Sequence, residues 1–170
     1  MEDVVKASDD LMDTLHRAQI LTHKLLEFSK AKEAALKSDD VGGLNELLVG
    51  EEDLVAAVHE NEKEREFRSD ALAAAVGVKK ENTRLREIIN LVAYPSCRTK
   101  LEQARNELME ELARLTQQNA KVKEILQYKV NYTDFMLNLL YVPQKKVFSY
   151  NVQGDKEDGF GSQNLLDYRA

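Results

Sequence analysis

The stretch LEQARNELMEELARLTQQNAKVKEILQYKVNYTDFMLNLLY, residues 101–141, contains neither glycine nor proline. Steps of four and three from Leu101 meet Arg105, Leu108, Leu112, Leu115, Asn119, Val122, Leu126, Lys129, Thr133, Met136 and Leu140. That spacing lines these residues along one side of an α-helix in the manner of a coiled-coil seam. Pro95 suits the first turn of such a helix, where its missing N–H has no partner to lose. One helix over 95–141 is therefore predicted, ~70 Å long at ~1.5 Å per residue. Asn119 is a polar seam position of the kind that fixes register at a cost in stability.

A helix of that length needs companions to cover its stripe, and the upstream sequence supplies two. Residues 3–37 place Val4, Leu11, Leu15, Ala18, Thr22 and Leu25 at helical spacings, continued by Phe28, Ala35 and Leu36. KSDDVGGL then stops one helix and starts another, with Asp39 or Asp40 able to cap the new one. The second block carries Leu44, Leu47, Leu48, Leu54, Val55, Val58 and Leu72 as far as Gly77, a suitable left-handed C-terminal residue. A shorter helix is predicted near 81–93, with Leu85, Ile88, Ile89 and Val92 on its buried side.

The predicted fold class is all-α: an elongated antiparallel bundle, or coiled-coil hairpin, of three long helices and one shorter one. The helical bundle is expected over 1–142, followed by an extended, partly flexible tail over 143–170. Within the tail, VFSYNV alternates Phe148, Tyr150 and Val152 with polar neighbours, so it can add to a partner as a strand or lie extended in a groove.

Composition narrows the function classes. A net charge of −6, with Lys and Arg interleaved among acids as in ENEKEREFRSD, disfavours a grip on nucleic-acid phosphates. No run approaches the roughly 18 apolar residues that a membrane span requires, so stable membrane insertion is not expected. The single Cys97 allows no intrachain disulfide, and MEDVVKASDD lacks the basic and apolar parts of a secretory signal, so a cytoplasmic location is expected. His16, His23 and His59 have no acid or cysteine at a metal-ligand spacing. Cys97 has no catalytic partner nearby, and Gly42–Gly43 lacks the lysine of a phosphate-binding loop. No enzyme, cofactor or metal is expected.

The aromatic residues are unevenly placed. Of eleven, eight lie from Tyr128 onward, and only Phe28, Phe67 and Tyr94 precede them. Tyr128, Tyr132, Phe135 and Leu139 are spaced four, three and four, on one helical face beside the seam, with Tyr141 just beyond. Either both stripes form one wide buried face, or the aromatic stripe stays open as a surface for a partner helix. The partner-binding reading takes Tyr128, Tyr132, Phe135, Leu139 and Tyr141, with Phe148, Tyr150 and Val152 of the tail.

The order of these patterns resembles the FlgN family of flagellar export chaperones. SDDVGGLNELLVGEEDLVAAVHENEKER is similar to the family's acidic helix start, leucine pair, acidic pair and charged stretch. LARLTQQNAKVKEILQYKVNYTDFMLNLLY resembles its last helix, and FSYNVQG and LLDYRA resemble its tail. The resemblance implies a cytosolic chaperone that binds hook-associated proteins of the hook–filament junction, prevents their premature assembly and delivers them to the type III export gate, without a cofactor. Two other readings stay open: a structural coiled-coil scaffold or tether, and an allied chaperone for filament or cap subunits. Oligomeric state is left open by the sequence.

Overall fold

The computed structural model describes residues 2–78 and 84–141. Among these residues the chain forms four α-helices and no strand: α1 Glu2–Lys37, α2 Val41–Ala75, α3 Leu85–Asn90 and α4 Pro95–Leu140. The chain divides into two units, Met1–Lys129 and Val130–Ala170. The tail beyond Tyr141, including Phe148, Tyr150 and Val152, lies outside the described residues.

Local chemistry sets the helix ends. After Lys37 the Ser38 hydroxyl donates back to the carbonyl of Ala34 at 3.0 Å. Asp39 turns the chain with a φ of 57°, a region that aspartate tolerates better than most residues. Asp40 is the N-cap of α2, its carboxylate accepting from the Gly43 N–H at 2.9 Å. A Cβ on Gly43 would lie 2.3 Å from Asp40 Oδ2, so a side chain there would push the cap away. At the other end of α2, Gly77 takes a φ of 79°. Its N–H donates to Ala74 O at 3.1 Å and the Val78 N–H to Ala73 O at 2.9 Å, the two bonds of a Schellman ending.

The short helix is tighter than the sequence predicts. It opens at Leu85, where the Glu87 carboxylate accepts from the Arg84 N–H at 3.1 Å, and closes at Asn90. Leu91 and Val92 then bond to carbonyls only three residues back, both at 3.1 Å. Pro95 disfavours helical geometry at Tyr94, so α3 does not run on into α4. The first part of the predicted span, 81–83, lies outside the described residues.

Pairings between helices give their directions. Asp10, Arg17 and Lys32 on α1 meet Arg68, Glu64 and Glu51 on α2, so these helices are antiparallel. His23, Ser29 and Asp39 meet Glu111, Asn119 and Lys129, so α4 runs parallel to α1 and against α2. At one end of the first unit Leu11, Leu15, Leu72, Ala73, Ile88, Ile89, Val92, Leu101 and Ala104, from all four helices and the turn after α3, form the core. Each large side chain sealed there contributes about 1.5–3 kcal/mol of transfer energy. Ser8, Thr14 and Thr22 are buried with them because their hydroxyls donate to the carbonyls of Val4, Leu11 and Ala18, leaving no donor unpaired.

The predicted seam of α4 is only partly covered. Leu101 is buried and Leu108, Leu115 and Val122 are half-buried, whereas Leu112, Leu126, Met136 and Leu140 are exposed. Periodicity assigns these residues to one face, but it does not supply a neighbour for the whole of that face.

Candidate functional site

From Val130 to Tyr141 every residue is exposed, although the backbone stays helical to Leu140 and Tyr141 N–H still donates to Leu137 O at 2.8 Å. In this stretch Tyr132, Phe135 and Leu139 are 55%, 58% and 56% exposed, and Tyr141 is 78% exposed. Tyr128, in the last turns of the first unit, is 71% exposed. Val130, Leu137 and Leu140 are exposed as well, so this end of α4 is apolar around much of its circumference. The sequence reading singled out one face and missed Val130 and Leu137. The run MLNLLY, with apolar residues at nearly every position, was the signal for an all-round apolar helix end.

The other described aromatics behave differently. Phe28 is half-buried, and Gly50 makes room for it: a Cβ there would lie 3.3 Å from the ring. Tyr94 packs against the core cluster. Phe67 is exposed, with the guanidinium of Arg68 5.6 Å from its ring centre. Large apolar side chains gathered at the surface in this way are the usual mark of a protein-binding face.

Polar contacts elsewhere link successive turns of one helix and, at Gln118 and Glu33, join α4 to α1. Arg65 donates to Glu62 at 2.7 Å, which holds the Glu62 carboxyl below the usual range and raises the guanidinium in turn. Hydrogen bonds from Lys37 and then Gln118 lower the Glu33 carboxyl. Lys30 does the same for Glu27. His23 lies 3.9 Å from Glu111, while His16 and His59 are exposed and Cys97 is half-buried against the core. Among the described residues no three His, Cys, Asp or Glu side chains are grouped to hold a metal ion, and no helix is long and apolar enough to cross a membrane.

The last helix of this long-helix bundle thus ends in turns whose aromatic side chains are exposed. The chain belongs to the FlgN family, whose model, described as FlgN protein, matches residues 1–158. That family is one of flagellar export chaperones, and in this general form the role is the chain's own. No curated protein and no solved structure matches it.

Proposed function

We propose that this chaperone binds hook-associated proteins of the hook–filament junction in the cytoplasm, keeps them from assembling early and hands them to the flagellar export gate. Tyr132, Phe135 and Leu139, with Tyr128 and Tyr141, form the client surface. The observation that carries this reading is the exposure of every residue from Val130 to Tyr141 within a regular helix. Tyrosine and phenylalanine suit the task, since they bring large contact areas with few rotatable bonds, and the tyrosine hydroxyls are content in water between clients. Phe148, Tyr150 and Val152 of the tail add an extended contact to client or gate.

Replacing Tyr132 and Phe135 together by alanine is the test. Calorimetric titration with a purified hook-associated protein should show affinity lower by about 2–4 kcal/mol, the scale of interface anchors. The melting temperature of the free variant should barely move, because both side chains already face water. Unchanged affinity removes the proposed surface. A tight dimer of the chain alone, with no client bound, favours the scaffold reading instead.

A further inference from the structure

The arginines of the first unit fall into two groups. Arg17, Arg65, Arg68 and Arg114 each pair with a carboxylate. Arg84, Arg86, Arg98 and Arg105 pair with none among the described residues. These four all lie between the N-cap of α3 and the early turns of α4, where Lys100 joins them and Glu87 and Glu102 are the only acids. The segment 84–105 thus carries a net +3 in a chain of net −6. A basic cluster without partners, on a protein with an excess of acids, draws anions to one place.

Two of these arginines, Arg86 and Arg105, line a common cleft of about 380 Å³ between α3 and α4, together with Ile89, Asn90, Glu102 and Asn106. Ile88, Ile89, Leu101 and Ala104 anchor both walls in the core. Arg105 stands at a seam position, flanked at steps of four and three by Leu101 and Leu108. It is half-buried, and its guanidinium donates to Asn106 Oδ1 at 3.2 Å. That bond uses one of five N–H donors and leaves the Asn106 Nδ2 hydrogens for a further acceptor. A carboxylate is the natural complement, because a guanidinium grips it by two parallel charge-assisted bonds. We infer that this cleft receives a short acidic peptide segment of another protein, with its carboxylates on Arg86 and Arg105 and the carboxamides of Asn90 and Asn106 donating beside them. With +3 here and −6 overall, the rest of the chain totals −9, so a broad anionic surface such as a membrane or a nucleic acid is repelled beyond the patch. A short peptide senses only the patch, since charges farther off than a Debye length of ~8 Å are screened. Glu102 narrows the ligand further: its carboxylate accepts a peptide N–H and repels a dianionic phosphate more than a single carboxylate. The inference does not depend on what Val130–Tyr141 binds.

The test is a titration of the full chain, nitrogen-labelled on its backbone and side chains, with hexaglutamate and with hexaglutamine as the uncharged control. Hexaglutamate should give saturable shifts at Arg86, Asn90, Arg105 and Asn106 and should bind more weakly as salt is added, while hexaglutamine gives none. Arg86→Gln, at an exposed position, should weaken hexaglutamate roughly tenfold, the loss of one charge-assisted pair, and leave the melting temperature unchanged. Arg105→Gln should weaken it to a similar degree. Lys63→Gln removes the same charge from an exposed turn of α2 and should leave binding as it is, which separates the cleft from the net charge. Glu102→Gln should tighten hexaglutamate, because a like charge leaves the cleft. Three results overturn the inference: no saturable shift with hexaglutamate, equal affinity of Arg86→Gln and Lys63→Gln, or tighter binding of inorganic phosphate or of phosphatidylglycerol vesicles than of hexaglutamate, which would assign the arginines to a phosphate or a lipid surface instead.

Discussion

At one end of the first unit Leu11, Leu72, Ile88 and Leu101 are sealed from solvent, and at the other α1 adds polar contacts with its neighbours to the buried Leu26 and Leu36. There the Ser29 hydroxyl donates to Asn119 Oδ1 at 2.6 Å, Gln118 donates to Glu33, and Lys32 pairs with Glu51 at 2.7 Å. The two ends use different physics. Burying a large aliphatic side chain contributes about 1.5–3 kcal/mol, whereas a hydrogen bond exchanged for one with water nets about 0.5–1.5 kcal/mol. Each sealed aliphatic side chain at the apolar end therefore contributes more than each polar contact at the other, and those polar contacts fix which residue of α4 lies beside which residue of α1. Amide exchange of the full chain should follow the same division: slowest around Leu11–Leu15, Leu72 and Leu101, and faster in the turns that hold Ser29 and Asn119.

The largest effect should come from the apolar end. Leu72→Ala or Leu101→Ala removes a side chain with no exposed surface, and should cost roughly 2–5 kcal/mol in urea unfolding. Leu112→Ala, on the same predicted seam but 40% exposed, should cost less than about 1 kcal/mol. Equal costs at Leu101 and Leu112 would break the comparison.

The next effect tests the polar end. Lys32 and Glu51 have side chains only 13% and 20% exposed, and each depends on the other. Lys32→Met leaves the carboxylate of Glu51 poorly solvated and should cost about 1–3 kcal/mol. Adding Glu51→Met should recover much of that loss, because two packed apolar side chains need no counter-charge. If the double variant is less stable than the single one, the pair contributes more than register. A smaller change follows for Ser29→Ala, about 1 kcal/mol, since exposed Asn119 can turn its oxygen to water.

The two ends also differed in how plainly they could be read from sequence. Pro95 as the start of α4, Asp39 or Asp40 as the cap of α2, with Asp40 in that place, and Gly77 as its left-handed ending all follow from backbone chemistry local to those residues. The apolar core followed from periodicity wherever a neighbour exists, as at Leu11, Leu15 and Leu101. Periodicity could not tell Leu101 from Leu112 or Leu126, because burial depends on what lies opposite and not on spacing along one helix. It also gave no hint that Ser8, Thr14 and Ser29 would be among the most buried residues of α1. Their hydroxyls find partners only once the helices are built. The aromatic residues at the end of α4 were legible as a stripe; that they face solvent depends on the absence of a covering helix among the described residues, which no pattern within the stripe encodes.

The smallest effect is the share of the pH dependence that Glu33 contributes at the polar end. The Glu33 carboxylate accepts hydrogen bonds from Lys37 and from Gln118 of α4, and these hold its pKa below the ordinary value. A carboxyl depressed in the folded state adds stability that is fully present above its unfolded pKa and is lost as the pH falls through its lower folded value. The contribution of Glu33 should thus be constant from pH 7 to about 5, decline from about pH 4, and vanish below its folded value. Other carboxylates, Glu62 and Glu27 among them, titrate in the same window, so the wild-type melting curve alone cannot isolate Glu33. Glu33→Gln keeps the side-chain shape and removes the titration. The difference in melting temperature between wild type and this variant should stay constant at neutral pH and shrink toward acid. A difference that stays flat to pH 3 would mean that the contact between Glu33 and Gln118 owes nothing to charge, and that the polar end is held by shape.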